Sequence, residues 1–323
     1  MWQYYILLGV AVVLFSIQFV FSKLYQKQRG NSFFVAMMSN VIVCVGMIPF
    51  YFILNSGKLE VTSFSLLMAF AFALCGILCN FAGLKVLAVA NFSVYSMFLM
   101  LGGMLIPLIY GFFVGEKMTL LKAVAIVLVI AALALTLKKD EKAKEKSNYA
   151  IVGYILIFLM NGLVGVCTFA HQKSQFDTVS ASGFLLLAAI VRLVVSLVMI
   201  LINAIHNRNK KTEEQTTEIT EEQTAEKTET QTEEKAVVDK NANVKSWLIS
   251  IAVMLGYAAV NGTAQLLSTH TAAYVEAGVQ STIVTGGCIF LSAVLGLLFH
   301  EKITKKTIFS LLLALAGVVL IML

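Results

Sequence analysis

Long apolar runs alternate with short polar connections along this chain, and each run is about the length of a membrane-crossing helix. Ten runs can be read: Trp2 to Phe21, Phe33 to Leu54, Ser65 to Leu84, Phe92 to Val114, Leu120 to Leu137, Ala150 to Phe169, Ser182 to Ala204, Trp247 to Leu267, Val279 to Phe299, and Thr307 to Leu323. They are too long, and too apolar on every side, for the period-two alternation of a membrane barrel, so the pattern predicts helices. The expected fold is an all-α integral membrane protein with ten transmembrane helices. Trp2, Tyr4, Tyr5 and Trp247 stand at run starts, where they suit either interfacial anchoring or plain lipid contact.

Composition points to the same solvent. With 59% hydrophobic and 13% charged residues and a mean hydropathy of +0.86, too little polar surface exists to coat a water-soluble globule. The opening segment lacks a basic n-region and a small-residue cleavage site, so the first run is expected to remain as a helix and not to be removed as a signal peptide. Cys44, Cys75, Cys79, Cys167 and Cys288 all lie in apolar runs, where they pack as small hydrophobes and imply no disulfide framework. Cys75 and Cys79 share a helix face without His or carboxylate partners, so neither a metal site nor a cofactor is expected.

Basic residues are distributed unevenly. Nineteen of the 24 Lys and Arg residues fall in the odd-numbered connections between runs, whereas four (Lys58, Lys117, Lys122 and Lys173) lie on the opposite side and Arg192 lies within a run. The positive-inside rule therefore places the odd connections in the cytoplasm and both chain ends outside. This bias accounts for the net charge of +6, and the spread of the basic residues gives no patch for a nucleic-acid partner. One connection is long: residues 205–245 carry ten acidic and seven basic residues with few apolar ones, and are expected to be disordered or at most transiently helical.

A short motif occurs twice. Glu-Lys-Met-Thr at Glu116 to Thr119 returns as Glu-Lys-Ile-Thr at Glu301 to Thr304, and in the same register Gly111 matches Gly296, Leu128 Leu313, Ala131 Ala316 and Leu135 Leu320. Such duplication in a hydrophobic chain is common in transporters, and a repeat with five crossings must leave its second copy inverted. Glu116 and Glu301 are expected to sit at the start of the helix that follows each motif, with Thr119 and Thr304 as N-caps.

The Gly-Glu-Lys-x-Thr of Gly115 to Thr119, its partner His-Glu-Lys-x-Thr of His300 to Thr304, the Gly-Gly-x-x-x-Pro of Gly102 to Pro107 and Gly317 together resemble EamA-type members of the drug/metabolite transporter superfamily. The resemblance covers the chain apart from the acidic insertion. It implies a five-helix repeat in residues 1–138, a cytoplasmic linker at 139–149 and an inverted second repeat in 150–323, interrupted by 205–245. It also implies a secondary transporter that moves a small polar metabolite or drug-like solute across the plasma membrane by alternating access, with export the favoured direction. The chain departs from the pattern in having His300 for a frequent glycine, a long seventh connection and no basic residues in its tails; many relatives keep both ends in the cytoplasm, the reverse of the charge-based orientation.

Polar side chains in hydrocarbon are costly unless they face a bundle interior. Arg192 lies deep in the seventh run, and no Asp or Glu occupies the core of any run to neutralise it. Either an anionic substrate or helix carbonyls would serve as its partner; relatives carry an Arg in this region, which implies an inward-facing role. Gln18 and Asn161 occupy corresponding early helices, and Asn80 and Asn261 are a closer pair. These amides suit either recognition of a polar solute or interhelical hydrogen bonding. Gln265, Tyr257, Tyr95, Ser96, Gln280, Ser281 and Thr285 would line the same cavity. The expected solute-binding set is thus Arg192, Gln18, Asn80, Asn161, Asn261, Gln265, Tyr95 and Gln280. Lys85, His171 and Glu276 read as interfacial charges. No constellation of an intramembrane enzyme is present, so the expected partners are a small-molecule solute and membrane lipid, with homodimerisation left open; a channel or non-transporting scaffold is the alternative.

Overall fold

Apolar runs without water to bond their backbone must satisfy it internally, and the chain does so as helices. The computed structural model describes residues 2–89, 92–116, 119–137, 144–222, 240–298 and 305–322. Among these the helices are α1 (Trp2–Arg29), α2 (Phe33–Leu54), α3 (Ser63–Val89), α4 (Phe92–Phe113), α5 (Leu120–Leu137), α6 (Lys144–Gln172), α7 (Ala181–Glu222), α8 (Lys240–Ala272), α9 (Ala277–Leu298) and α10 (Lys305–Met322), with no strand. Eight of them (α1 to α4 and α6 to α9) are long and apolar enough to cross a membrane; α5 and α10 contribute shorter described apolar stretches, Leu120–Ala132 and Ile308–Leu320.

The helices pack in a pattern that repeats. Helix α1 lies against α8 and α9, as α6 lies against α3 and α4; α2 touches α8 as α7 touches α3; and α2 with α7, α4 with α9 and α5 with α10 pair directly. Exchanging every helix with the one five places along leaves this set of neighbours unchanged. Individual bonds follow the same exchange. Ser65, at the start of α3, bonds His171 at the end of α6 (2.9 Å), and Ser250, early in α8, accepts from Arg29 Nε at the end of α1 (2.9 Å).

Close approach explains the Gly-Gly-x-x-x-Pro segment. A Cβ on Gly102 would stand 2.1 Å from the Phe158 carbonyl oxygen, one on Gly103 would stand 2.7 Å from Asn161 Nδ2, and the Pro107 ring fills the space beside Gly165. These residues form the α4–α6 seam, where small side chains let two backbones touch.

The duplicated motif resolves into three separate tasks. Gly115, at φ +92°, ends α4 as a left-handed C′ residue; the Glu116 N–H donates to the Gly111 carbonyl (2.8 Å) and the Gly115 N–H to that of Phe112 (3.2 Å), the pair of bonds of a Schellman motif. Thr119 Oγ1 accepts from the Lys122 N–H at 3.3 Å and N-caps α5 as expected. Glu116 does not cap α5, which corrects the expectation. Its Oε1 accepts from the Ala277 N–H (3.1 Å), the first residue of α9, and meets Lys173 Nζ at 3.3 Å. The carboxylate joins a distant helix because the Schellman turn aims it across the bundle, where α9 presents unsatisfied amides and a positive dipole end. Glu301 to Thr304 lie outside the described residues.

The acidic insertion also differs from expectation. Helix α7 continues to Glu222, well past the expected end at Ala204, and α8 begins at Lys240. A helix already nucleated in the membrane adds each further residue cheaply, and the Glu-, Gln- and Lys-rich run contains no Gly or Pro to stop it.

Candidate functional site

A cavity of about 190 Å³ opens between the two sets of helices. A single water needs only about 10–15 Å³, so there is room for a small solute. Among the described residues its wall comes from α1, α2, α3 and α4 and from α6, α7, α8 and α9, with nothing from α5 or α10. All eight residues expected from the sequence (Arg192, Gln18, Asn80, Asn161, Asn261, Gln265, Tyr95 and Gln280) line this one space, as do Tyr257, Ser281 and Thr285. Ser96 does not; it donates to Ser292 instead (2.8 Å). His171, Lys85 and Glu276 lie away from the wall, His171 wedged between the rings of Phe64 and Phe184.

The lining positions fall into corresponding pairs. In the register that matches Glu116 with Glu301, Phe72 corresponds to Tyr257, Gly76 to Asn261, Asn80 to Gln265, Tyr95 to Gln280, Leu99 to Val284 and Met100 to Thr285, and both members of every pair reach the cavity. On α2 and α7, Cys44, Met47 and Tyr51 recur at the spacing of Leu185, Ala188 and Arg192. Tyr51 and Arg192 therefore hold equivalent places. Tyr51 donates to the Gly262 carbonyl on α8 (3.0 Å), while the Arg192 guanidinium lies against Gly76 on α3.

Among the described residues Arg192 is the one charged side chain in the lining. The residue that holds it was not among the sequence candidates: Asn40, fully buried on α2, accepts from Arg192 Nε (2.9 Å) and Nη2 through its Oδ1, which also accepts from Asn80 Nδ2 at 3.0 Å. Asn80 Nδ2 further reaches Ser39 Oγ (2.9 Å) and the Ala36 carbonyl (3.3 Å). Three donors converging on one amide oxygen orient the guanidinium but leave its charge in place. Desolvating such a charge costs several kcal/mol, roughly, so it calls for a compensating partner or water.

The remaining polar residues divide into two groups. Asn161 ties α6 to α4 through the Leu99 carbonyl (2.7 Å), and Gln280 is occupied by the Ser268 carbonyl (2.7 Å), Ser268 Oγ and Thr271. These two act as interhelical bonds in this conformation. Tyr257, Asn261 and Gln265, four residues apart along one face of α8, make no side-chain hydrogen bond among the described residues and turn their polar groups to the cavity. Gln18 Oε1 is buried and lacks a donor. Around this polar set stand Phe15, Phe72, Tyr95 and Phe169, so the wall suits a solute with both an apolar body and polar ends.

No family model matches the chain, and no curated protein does. Among 28 solved chains that match, one described as "Crystal structure of protein" superimposes with a TM-score of 0.58 over 98% of this chain and 96% of its own length, at 12% identity. At that identity the likeness speaks to the fold alone.

Proposed function

We propose that the protein is a secondary transporter of small polar metabolites or drug-like solutes, working by alternating access across the plasma membrane in the direction of export, and that it belongs with EamA-type members of the drug/metabolite transporter superfamily. The observation that carries this reading is the cavity, whose wall pairs corresponding positions from two halves of the chain. In such a layout exchange of conformation between the halves opens one site to each side in turn. Ten crossings, with α5 and α10 completing each half, make the halves inverted relative to each other. The even-numbered connections and both chain ends then lie outside and the odd-numbered connections in the cytoplasm, as the Lys and Arg bias favours.

Purified protein in proteoliposomes tests the mechanism. Uptake of a transported solute should saturate and accelerate when the same solute is preloaded inside; ohmic currents without counterflow would instead indicate a channel.

A further inference from the structure

Among the described residues the lining contains one cation and no anion, and Arg192 is incompletely used. A guanidinium has five N–H donors. Asn40 takes one on Nε and one on Nη2, which together form the side edge of the fork. The end edge, between Nη1 and Nη2, meets no acceptor among the described residues. That edge has the spacing to grip two oxygens of a planar anion. Gln18, only 6% exposed, also reaches the cavity wall, but its unpartnered Oε1 is buried and closed to an occupant.

Resting on the transport reading above, we infer that the solute is a small organic carboxylate that also carries neutral polar groups. Its carboxylate pairs with the free edge of Arg192. The α8 face of Tyr257, Asn261 and Gln265 supplies further neutral partners, while Phe15 and Phe72 cover the carbon skeleton. A solute whose only charge is positive is disfavoured, because the described residues of the wall provide no carboxylate and Arg192 repels it. The chemical difference between Tyr51 and Arg192 fixes which end of the solute faces which half.

The test is a set of hydroxylated acids of two to ten carbons, each with its matched primary amide and matched amine, measured by thermal shift and titration calorimetry on the full-length purified protein. The acids should bind and their amides and amines should not, or should bind at least tenfold more weakly. Arg192→Gln should weaken acid binding about 10- to 100-fold, the value of one charged hydrogen-bonding partner, and erase the preference over the amide. Arg192→Lys should keep that preference, which separates charge recognition from misfolding, and Asn261→Ala should weaken the hydroxylated acid more than its deoxy counterpart. Equal binding of acid and amide, stronger binding of the amine, or no binding by any set overturns the inference. Amides or amines that show counterflow would leave the transport reading standing without it; acids that bind yet show no counterflow would overturn the transport reading alone.

Discussion

Replacing Asn40 by Ala removes the oxygen on which Arg192 and Asn80 converge. Two bonds to a charged donor are lost, each worth about 1.5–3 kcal/mol. Asn80 keeps Ser39 and Ala36, so its share of the loss is small. Arg192 borders the cavity, and water can take over part of what Asn40 supplied. The net destabilisation should therefore fall near 2–4 kcal/mol, at the upper end of what single substitutions do, roughly. The assay is a double-mutant cycle with Arg192→Met, followed by SDS-induced unfolding in mixed micelles. Once Arg192 is apolar, deleting Asn40 strands no charge, so the double variant should be more stable than the sum of the singles by at least about 1 kcal/mol. Additive effects, within about 0.5 kcal/mol, would refute the view that Asn40 exists to hold the guanidinium. Asn40→Asp sharpens the contrast: its carboxylate would neutralise Arg192, and acid binding should disappear while the fold persists.

Other expectations follow from the packing. Glu116→Ala should cost about 1 kcal/mol or more through loss of the α9 N-terminal bond, whereas Lys173→Met should cost under about 1 kcal/mol because that ion pair is partly exposed; equal costs would mean the ion pair dominates. Gly102→Val should prevent α4 and α6 from meeting and sharply reduce folded yield in size-exclusion profiles, since even a Cβ would overlap the Phe158 carbonyl. Single cysteines placed in residues 55–63 should be labelled by an impermeant maleimide on intact cells and those in 138–148 should not; the reverse pattern would invert the orientation.

Why the cavity residues could be read from the chain is a matter of cost. An amide or guanidinium in a hydrocarbon-spanning run has few tolerable positions besides an interior one, so Gln18, Asn80, Asn161, Asn261, Gln265 and Arg192 share a destination before any contact is known. Asn40 carries the same signal, being an amide within the second run, but it has no polar counterpart at the matching place on α7, so no pairing marks it. Which amides bond to the protein and which face the cavity is decided by partners on other helices, Leu99 on α4 for Asn161 and Ser268 on α8 for Gln280, and no local pattern encodes that. Glu116 shows the same limit. Local capping rules point it to the nearest helix start, while the Schellman turn at Gly115 delivers it to α9. The extent of α7 was illegible for a different reason: composition reports solvent preference, whereas helix continuation depends on what has already folded upstream.

The pairing of Tyr51 with Arg192 makes the two halves alike in shape but unlike as electrical objects. A membrane potential does about 2.3 kcal/mol of work per elementary charge per 100 mV on a charge carried across it. Tyr51 is indifferent to that field. Arg192, with no acid beside it in the lining, feels whatever fraction of the field its half traverses. In the proposed exchange between halves, the empty protein would sense voltage; with an anion seated on Arg192, the pair would be neutral and the same motion electrically silent.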